Sequence, residues 1–193
     1  MIETRRGIDM QPESLAALEA GTKTQTRRLV LVKVGAPVCP YGRPGDALYV
    51  RESYMVYATA VPSTTDQIAV AVRYKADGAI RAMTVTPEVG GKLVGRRGRW
   101  HPPRYMPRWV ARWVLRLEDV RRERLNDINE ADAQAEGVPR GVCTHPDCTP
   151  GGCASSRYRP EYATRWDQIN RKRAPWSSNP EVWALTFAAG KLP

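Results

Sequence analysis

Long hydrophobic segments are missing from this sequence. It contains no run of 18 apolar residues, and its first ten residues, MIETRRGIDM, lack the apolar core of a secretory signal. It also has no internal repeat. These absences predict a soluble cytoplasmic protein without a membrane partner.

Acidic residues are also in short supply. Asp and Glu total 20 against 30 Lys and Arg, which gives a formal net charge of +10. An excess of this size favours phosphate-bearing partners, because the counterions released from nucleic acid drive binding. RNA and other single-stranded nucleic acids are therefore candidate partners.

Phenylalanine occurs once, whereas Trp occurs six times and Tyr eight times. Trp and Tyr combine a flat apolar body with a polar tip, which suits stacking on nucleic-acid bases. The same side chains also fill ordinary cores, and both uses stay open. With 193 residues, 42% of them hydrophobic, the chain is long enough to bury the core of one domain.

Cysteines number only four, and three of them fall in one short stretch, CTHPDCTPGGC. The candidate zinc ligands are Cys143, His145, Cys148 and Cys153, with Cys39 as an alternative. Cys and His are the ligand types that tetrahedral zinc prefers, and a loop without hydrophobic periodicity gains from such a staple. Two interpretations stay open: a structural zinc without a catalytic role, or reduced thiols in a cytoplasmic protein.

The hydrophobic pattern predicts several strands, a few short helices and no βαβ alternation, which is typical of an α+β domain or a small barrel. Predicted strands cover residues 29–34, 47–57, 68–85 (a hairpin), 108–117 and 181–187. Predicted helices follow Pro12, cover residues 129–136 and include Tyr162, Trp166 and Ile169. Residues 1–193 are predicted to form one domain, with a Gly/Arg/Pro-rich loop at about 87–107 and a Cys-rich insertion at about 138–159.

The octapeptide GTKTQTRR (21–28) follows the first predicted helix, with Gly21 as its left-handed C-cap. If the segment is extended, Thr24, Thr26 and Arg28 share one face, and Thr24 and Arg28 are candidate substrate-binding residues. Lys23 reaches the same pocket on its long stem, and a Lys in a partly dry pocket can lose its proton and act as a base. The alternative is an exposed polar edge.

Arg51, Glu52 and Tyr54, near the end of one predicted apolar strand, are candidate substrate-binding residues. Arg51 suits a phosphate, and Glu52 suits a base edge because carboxylates accept hydrogen bonds from exocyclic amines. Tyr54 suits stacking. The alternative is that an Arg–Glu pair stabilises a barrel mouth and that the Tyr54 ring belongs to the core.

A basic stripe occurs in the stretch RYMPRWVARWVLR. Its candidate nucleic-acid contacts are Arg104, Arg108, Arg112 and Arg116. Basic residues along one strand face with aromatic residues nearby are typical of a platform for single strands. Trp109 and Trp113, however, share the predicted core face, which also fits simple packing.

Several segments together resemble ASCH-domain proteins, in particular the longer versions common in phages and prophages. The segments are GTKTQTRR, PYGRPGDALYVRE, HPPRYMPRWVARWVLRLEDVRRERL, INEADAQAEGV and NPEVWALTF. They occur in the family's order and cover most of the chain. The resemblance implies a PUA-like β-barrel with short flanking helices and inserted loops, a fold associated with RNA recognition, and the host cytoplasm as its location if a phage encodes the chain.

Some small bacterial ASCH proteins are N4-acetylcytidine amidohydrolases, which release cytidine and acetate. The resemblance implies that their catalytic Lys, Thr and Glu correspond to Lys23, Thr26 and Glu136. Thr26 is then the nucleophile or the holder of the attacking water, and Lys23 the base. Glu136 orients Lys23 or relays a proton. An acylated nucleoside or nucleobase is the expected substrate, and no cofactor is expected to be required for catalysis.

Two other functions stay open at this point. One is a PUA-like module that binds RNA or another nucleic acid without turnover. The other is a phage accessory protein whose pocket recognises a modified base.

Overall fold

The computed structural model describes residues 6–31, 38–60, 67–94, 97–141 and 157–192. The chain divides into two compact units. The first unit comprises residues 1–16, 48–114 and 191–193, and the second comprises 17–47 and 115–190. The expectation of a single domain stays a prediction.

The described residues form nine strands and four α-helices. In chain order they are β1 (Arg6–Asp9), α1 (Pro12–Glu19), β2 (Gln25–Leu29), β3 (Ala47–Arg51), β4 (Tyr54–Ala60), β5 (Ile68–Tyr74), β6 (Ile80–Val85), α2 (Pro87–Val94), β7 (Trp100–His101), β8 (Trp113–Arg124), α3 (Glu130–Ala135), α4 (Tyr158–Asn170) and β9 (Glu181–Lys191). Short 3₁₀ turns occupy Pro103–Tyr105, Arg108–Val110, Leu125–Asp127 and Trp176–Ser178.

The first unit contains a four-stranded sheet in the order β6-β5-β4-β7, and β4 pairs antiparallel with β5 and β7. β5 and β6 form an antiparallel hairpin. Elsewhere in this unit, β1 pairs parallel with β3. One face of the four-stranded sheet is buried, and its core cluster consists of Tyr54, Val56, Val70, Val72, Tyr74, Met106 and Val110.

The second unit is built around β9, which lies between β8 and β2 and pairs antiparallel with β2. The short helix α3 and the longer helix α4 complete this unit. Its apolar cluster consists of Leu125, Ile128, Ala133, Val138, Tyr162, Trp166 and Val182. Tyr162 and Trp166 project from α4 one turn apart, and both belong to this cluster, so these two side chains pack α4 against the rest of the unit.

The α+β class predicted from the sequence is confirmed, with parallel and antiparallel pairing both present. Within neither unit do the described strands close into a barrel. Among the described residues, no helix has the length and apolar character needed to cross a membrane.

Elements with strong local signals lie where they were predicted. α1 begins at Pro12, and Gly21 has a φ of 69°. The hairpin turn contains Gly78, with a φ of 72°. Gly at positive φ avoids the steric penalty that a Cβ brings, so these two residues mark chain reversals in the sequence.

Of the predicted strand at 29–34, only residues 29–31 are described, and only Leu29 of these lies in a strand. The observed strand, β2, ends at Leu29 and lies almost entirely within the polar octapeptide. Its residues Gln25, Thr26 and Arg27 are all buried. A polar segment can form a buried strand here because β9 satisfies its backbone and distant side chains satisfy its polar groups.

Other boundaries also differ from the predicted ones. Residues 47–57 form two strands instead of one, and between β3 and β4 the N–H of Glu52 donates to the Sδ atom of Met106. The predicted loop at 87–107 contains helix α2, which starts at a proline as helices often do. The strand predicted from Arg108 begins at Trp113, since a 3₁₀ turn follows Pro107. Ile169 lies in the predicted helix, α4, and is 54% exposed.

Gly137 holds the end of α3 close to the residue that leads into β2. Its φ is 75°, and a Cβ at this position would lie 2.6 Å from the Cβ of Ala17 and 2.9 Å from the Cβ of Lys23. Such distances are too short for carbon atoms. The absence of a side chain at Gly137 therefore allows its neighbour Glu136 to lie beside Lys23.

We expect Gly137→Ala to destabilise the protein more than Gly21→Ala. Both substitutions place an L-residue at positive φ, which costs about 1–2 kcal/mol. Only Gly137→Ala adds steric overlap, worth about a further 1–3 kcal/mol, because a Cβ at Gly21 would meet nothing within 4 Å. Urea unfolding of both variants measures the difference, and equal losses would contradict the close approach at Gly137.

Candidate active site

Lys23 and Glu136 form a buried ion pair in the second unit. The two residues face each other in an antiparallel β-bridge between the segment before β2 and the end of α3. The Nζ atom of Lys23 donates to the Oε2 atom of Glu136 at 2.8 Å and to its backbone carbonyl oxygen at 2.7 Å. Their side chains are only 3% and 5% exposed, so the pair is almost completely removed from water.

Burial changes the proton affinity of Lys23. Removal from water lowers the pKa of this amine below 10.5, because desolvation disfavours its charged form. The charge and the hydrogen bond of Glu136 oppose this effect, while the nearby charges of Arg28 and Arg165 add to it. The result is an amine that loses its proton more readily than an exposed lysine.

Thr26 lies on β2, three residues after Lys23, and is buried opposite Leu185 of β9. Thr24, which was predicted to share its face, is exposed, and Arg28 is half-buried. The structure therefore joins two of the three predicted catalytic residues directly. It places the third, Thr26, on the same short segment.

Arg27 is a central residue of this site that the sequence analysis did not single out. Its guanidinium is fully buried and donates to Glu123 at 2.7 Å and to Asp132 at 2.8 Å. It also approaches Glu136 at 3.4 Å and donates to the amide oxygen of Gln25. Burial alone would lower the pKa of Arg27, but Glu136 and Glu123 hold it above its ordinary value.

Further polar contacts extend the network. Gln25 donates through Nε2 to Asp132 and to Thr186 of β9. Arg121 donates to Asp132 at 3.0 Å and to Glu123 at 3.3 Å. Because each shared carboxylate accepts from two cationic groups, the network fixes the guanidinium of Arg27 in one orientation.

The alternation of side chains along an extended segment is the signal that would have found Arg27. Lys23, Gln25 and Arg27 are spaced by two and all contact residues at or near α3. The face predicted from the sequence consists of Thr24, Thr26 and Arg28, and Thr26 lies on the face of β2 opposite Gln25 and Arg27.

Tyr162 of α4 is a further buried polar residue near Glu136. Burial raises the pKa of Tyr162 well above its usual range, and the negative charge and a hydrogen bond of Glu136 add to the effect. Tyr162 therefore keeps its hydroxyl proton and remains a donor at any physiological pH.

The residues proposed to bind substrate near position 52 belong to the first unit. Arg51 pairs with Asp9 at 2.6 Å, and the hydroxyl of the buried Tyr54 donates to the carbonyl oxygen of Tyr105. Both carboxylate oxygens of the buried Glu52 accept from Arg112, at 2.7 and 2.8 Å. The carboxylate of Glu52 is therefore paired with Arg112 and not with Arg51, and substrate binding by Arg51, Glu52 and Tyr54 stays a prediction.

The four arginines of the predicted basic stripe differ in their surroundings. Arg112 also donates to Asp77 and lies 4.3 Å over the ring of Tyr74, so its charge is neutralised and partly covered. Arg104 and Arg108 are exposed in 3₁₀ turns of the first unit. Arg116 is exposed on β8 in the second unit.

The proposed zinc ligands Cys143, His145, Cys148 and Cys153 lie outside the described residues. Cys39 is buried. Among the residues that the structure describes, no group of three or more His, Cys, Asp or Glu side chains is arranged to hold a metal ion. Structural zinc stays a prediction.

Comparison with known proteins gives no matching family model, no similar curated protein and no similar solved structure.

We expect Arg27→Met to lower the free energy of unfolding by about 3–5 kcal/mol, because the substitution leaves buried carboxylates without their central cation. Arg27→Lys should restore little of the loss, since an ammonium cannot replace the planar, multidentate guanidinium. Urea unfolding measures both variants. Arg122→Met, which removes an exposed arginine paired with Glu181, is the control and should change stability little. An unchanged urea midpoint for Arg27→Met would show that the network contributes nothing.

Proposed function

We propose that the second unit carries an amidohydrolase site that removes the acyl group from an acylated nucleobase or nucleoside, such as N4-acetylcytidine. The observation that carries this proposal is the buried amine of Lys23, held by Glu136, with a pKa below that of an ordinary lysine. Amide hydrolysis needs a base that is neutral before it acts, and burial favours that form.

The reaction divides between three residues of this chain. The hydroxyl of Thr26, or a water molecule bound to it, attacks the carbonyl carbon of the acyl group while neutral Lys23 accepts the proton. The resulting ammonium then gives a proton to the exocyclic nitrogen as the C–N bond breaks. If Thr26 attacks directly, water hydrolyses the acyl-threonine in a second step. The products are the free amine of the base and a carboxylic acid.

Glu136 orients the amine in this mechanism. It accepts a hydrogen bond from the Nζ atom of Lys23 and stabilises the ammonium that forms after proton transfer. Arg27 in turn approaches the carboxylate of Glu136 at 3.4 Å. The ion pair therefore lowers the energy of the charged state that follows nucleophilic attack, without preventing the amine from being neutral first.

The family assignment is part of the same proposal. The contact between Lys23 and Glu136 joins two residues 113 positions apart that the resemblance to ASCH-domain amidohydrolases pairs. Lysine and glutamate side chains are almost never fully buried unless they are paired with each other or with another charge. The PUA-like barrel and the identity of the acyl group are proposed with the activity.

We expect the protein to convert N4-acetylcytidine to cytidine, and Lys23→Met to lower kcat/KM by about 10²–10⁴-fold, the usual contribution of a general base. Liquid chromatography of cytidine release measures the rate. Lys92→Met is the matched control, because Lys92 pairs with Glu88 on the surface of the first unit and should leave the rate unchanged. Thr26→Ser should keep more activity than Thr26→Ala.

Two results would contradict the proposal. Wild-type protein that releases no amine from N4-acetylcytidine or from a panel of acylated cytosines, adenines and guanines would remove the activity. A folded Lys23→Met variant with the wild-type rate would remove Lys23 from the mechanism.

The pH dependence of kcat/KM provides a separate prediction. Activity needs the neutral amine, so the rate should rise with pH through the lowered pKa of Lys23, and level off below 10.5. Because Glu136 raises that pKa, Glu136→Gln should move the midpoint of the residual rate to lower pH. Glu88→Gln is the control and should leave the midpoint unchanged. A Glu136→Gln profile that keeps the wild-type midpoint would contradict the coupling of the two groups.

A further inference from the structure

The outer face of the four-stranded sheet in the first unit carries an aromatic and basic row. Cross-strand partners in register point to the same face of a sheet. Arg73 pairs with Ile80 on one side and with Met55 on the other, and Met55 pairs with Trp100. One line of side chains therefore crosses β6, β5, β4 and β7.

This face is open to solvent, whereas the opposite face is the core of the unit. Ile80 is 54% exposed and Trp100 is 43% exposed, and Arg73 is also exposed. Tyr57, the unpaired residue at a β-bulge in β4, is 54% exposed, whereas its neighbour Val56 is buried. Large apolar side chains on a sheet face normally pack against another layer, so their exposure indicates a surface that binds a partner.

Cations accompany the exposed rings. The Nζ atom of Lys75, which is two residues after Arg73, lies 6.0 Å from the centre of the Trp100 ring. In the same unit, the guanidinium of Arg104 lies 5.0 Å from the centre of the exposed Tyr105 ring. Positive groups beside rings combine the two attractions that a nucleotide offers, a charged phosphate and a flat base.

The charge of the first unit favours a polyanion. Its described residues include twelve Lys and Arg against five Asp and Glu, whereas those of the second unit include fifteen against twelve. Two of the five carboxylates, Glu52 and Asp77, are occupied by Arg112. The positive excess of the protein is therefore concentrated in the unit that carries the exposed rings.

We propose that this surface, the sheet-face platform formed by Met55, Tyr57, Arg73, Lys75, Ile80 and Trp100, binds single-stranded nucleic acid. Bases stack on Trp100 and Tyr57, and phosphates contact Arg73 and Lys75. Single strands suit the surface better than duplexes, because a base inside a duplex is already stacked on its neighbours and cannot lie on a protein ring.

The platform is independent of the proposed hydrolase site. It belongs to the first unit, and Lys23, Thr26 and Glu136 belong to the second. It also differs from the basic stripe predicted from the sequence, since Arg112 of that stripe is paired with carboxylates while the platform uses Arg73 and Lys75.

Fluorescence anisotropy with labelled 12-nucleotide oligo-uridine and oligo-thymidine tests the proposal at several salt concentrations. Trp100→Leu should weaken binding about tenfold, whereas Trp100→Phe, which keeps a ring, should retain most of the affinity. Arg73→Gln and Lys75→Gln should each weaken binding and reduce the slope of log K against log salt by about 0.7.

Matched controls come from the second unit. Lys172→Gln removes an exposed positive charge, and Ile169→Ala removes an exposed apolar side chain; both should leave affinity unchanged. Lys23→Met should bind the oligonucleotides as the wild type does, so failure of the hydrolase proposal and failure of the platform are distinguishable.

Three outcomes would overturn the platform. The first is the absence of binding to either oligonucleotide at low salt. The second is equal affinity of Trp100→Leu and the wild type. The third is a change of oligomeric state in Trp100→Leu by light scattering without a change in affinity, which would assign this face to contact with a second copy of the chain.

Discussion

The organisation of the second unit depends on keeping the ammonium of Lys23 and the carboxylate of Glu136 together away from water. Moving either ion out of water costs several kcal/mol, and their attraction offsets this only when the remaining hydrogen-bonding capacity is also used. Lys23 uses part of its capacity on the carbonyl oxygen of Glu136, and Glu136 is in turn approached by Arg27. Because Gly137 has no side chain, the segment that contains Glu136 can approach the segment that contains Lys23, and the two ions come into contact.

The surrounding carboxylates and arginines give this pair a fixed geometry. Arg27 is shared between Glu123 and Asp132, and Arg121 contacts both of those carboxylates. A network that contains several charges of each sign has few low-energy arrangements, because moving one member leaves another buried without its partner. A fixed geometry of this kind suits the catalytic role proposed for Lys23, because the distance of a general base from the reacting atoms must not vary.

The sequence predicted the parts of this arrangement that have local signals. Gly21 and Gly137 mark chain reversals, and the pairing of Lys23 with Glu136 came from motif resemblance. The burial of Arg27 could not be predicted in this way, because its carboxylate partners lie 96 to 109 positions away and no local pattern distinguishes a buried arginine from an exposed one. The position of β2 was missed for the same reason, since polar residues form a buried strand only when distant groups satisfy them.

Arginine thus has two different uses within one chain, and both follow from where carboxylates are available. In the second unit the numbers of acidic and basic residues are nearly equal, so a cation such as Arg27 can be buried among carboxylates that neutralise its charge. In the first unit carboxylates are scarce, and Arg112 already occupies two of them. Other cations of this unit, among them Arg73, Lys75 and Arg104, are exposed, and their field extends into solvent. A single composition with a large positive charge therefore supports a buried polar network in one unit and leaves a larger excess of positive charge among the described residues of the other.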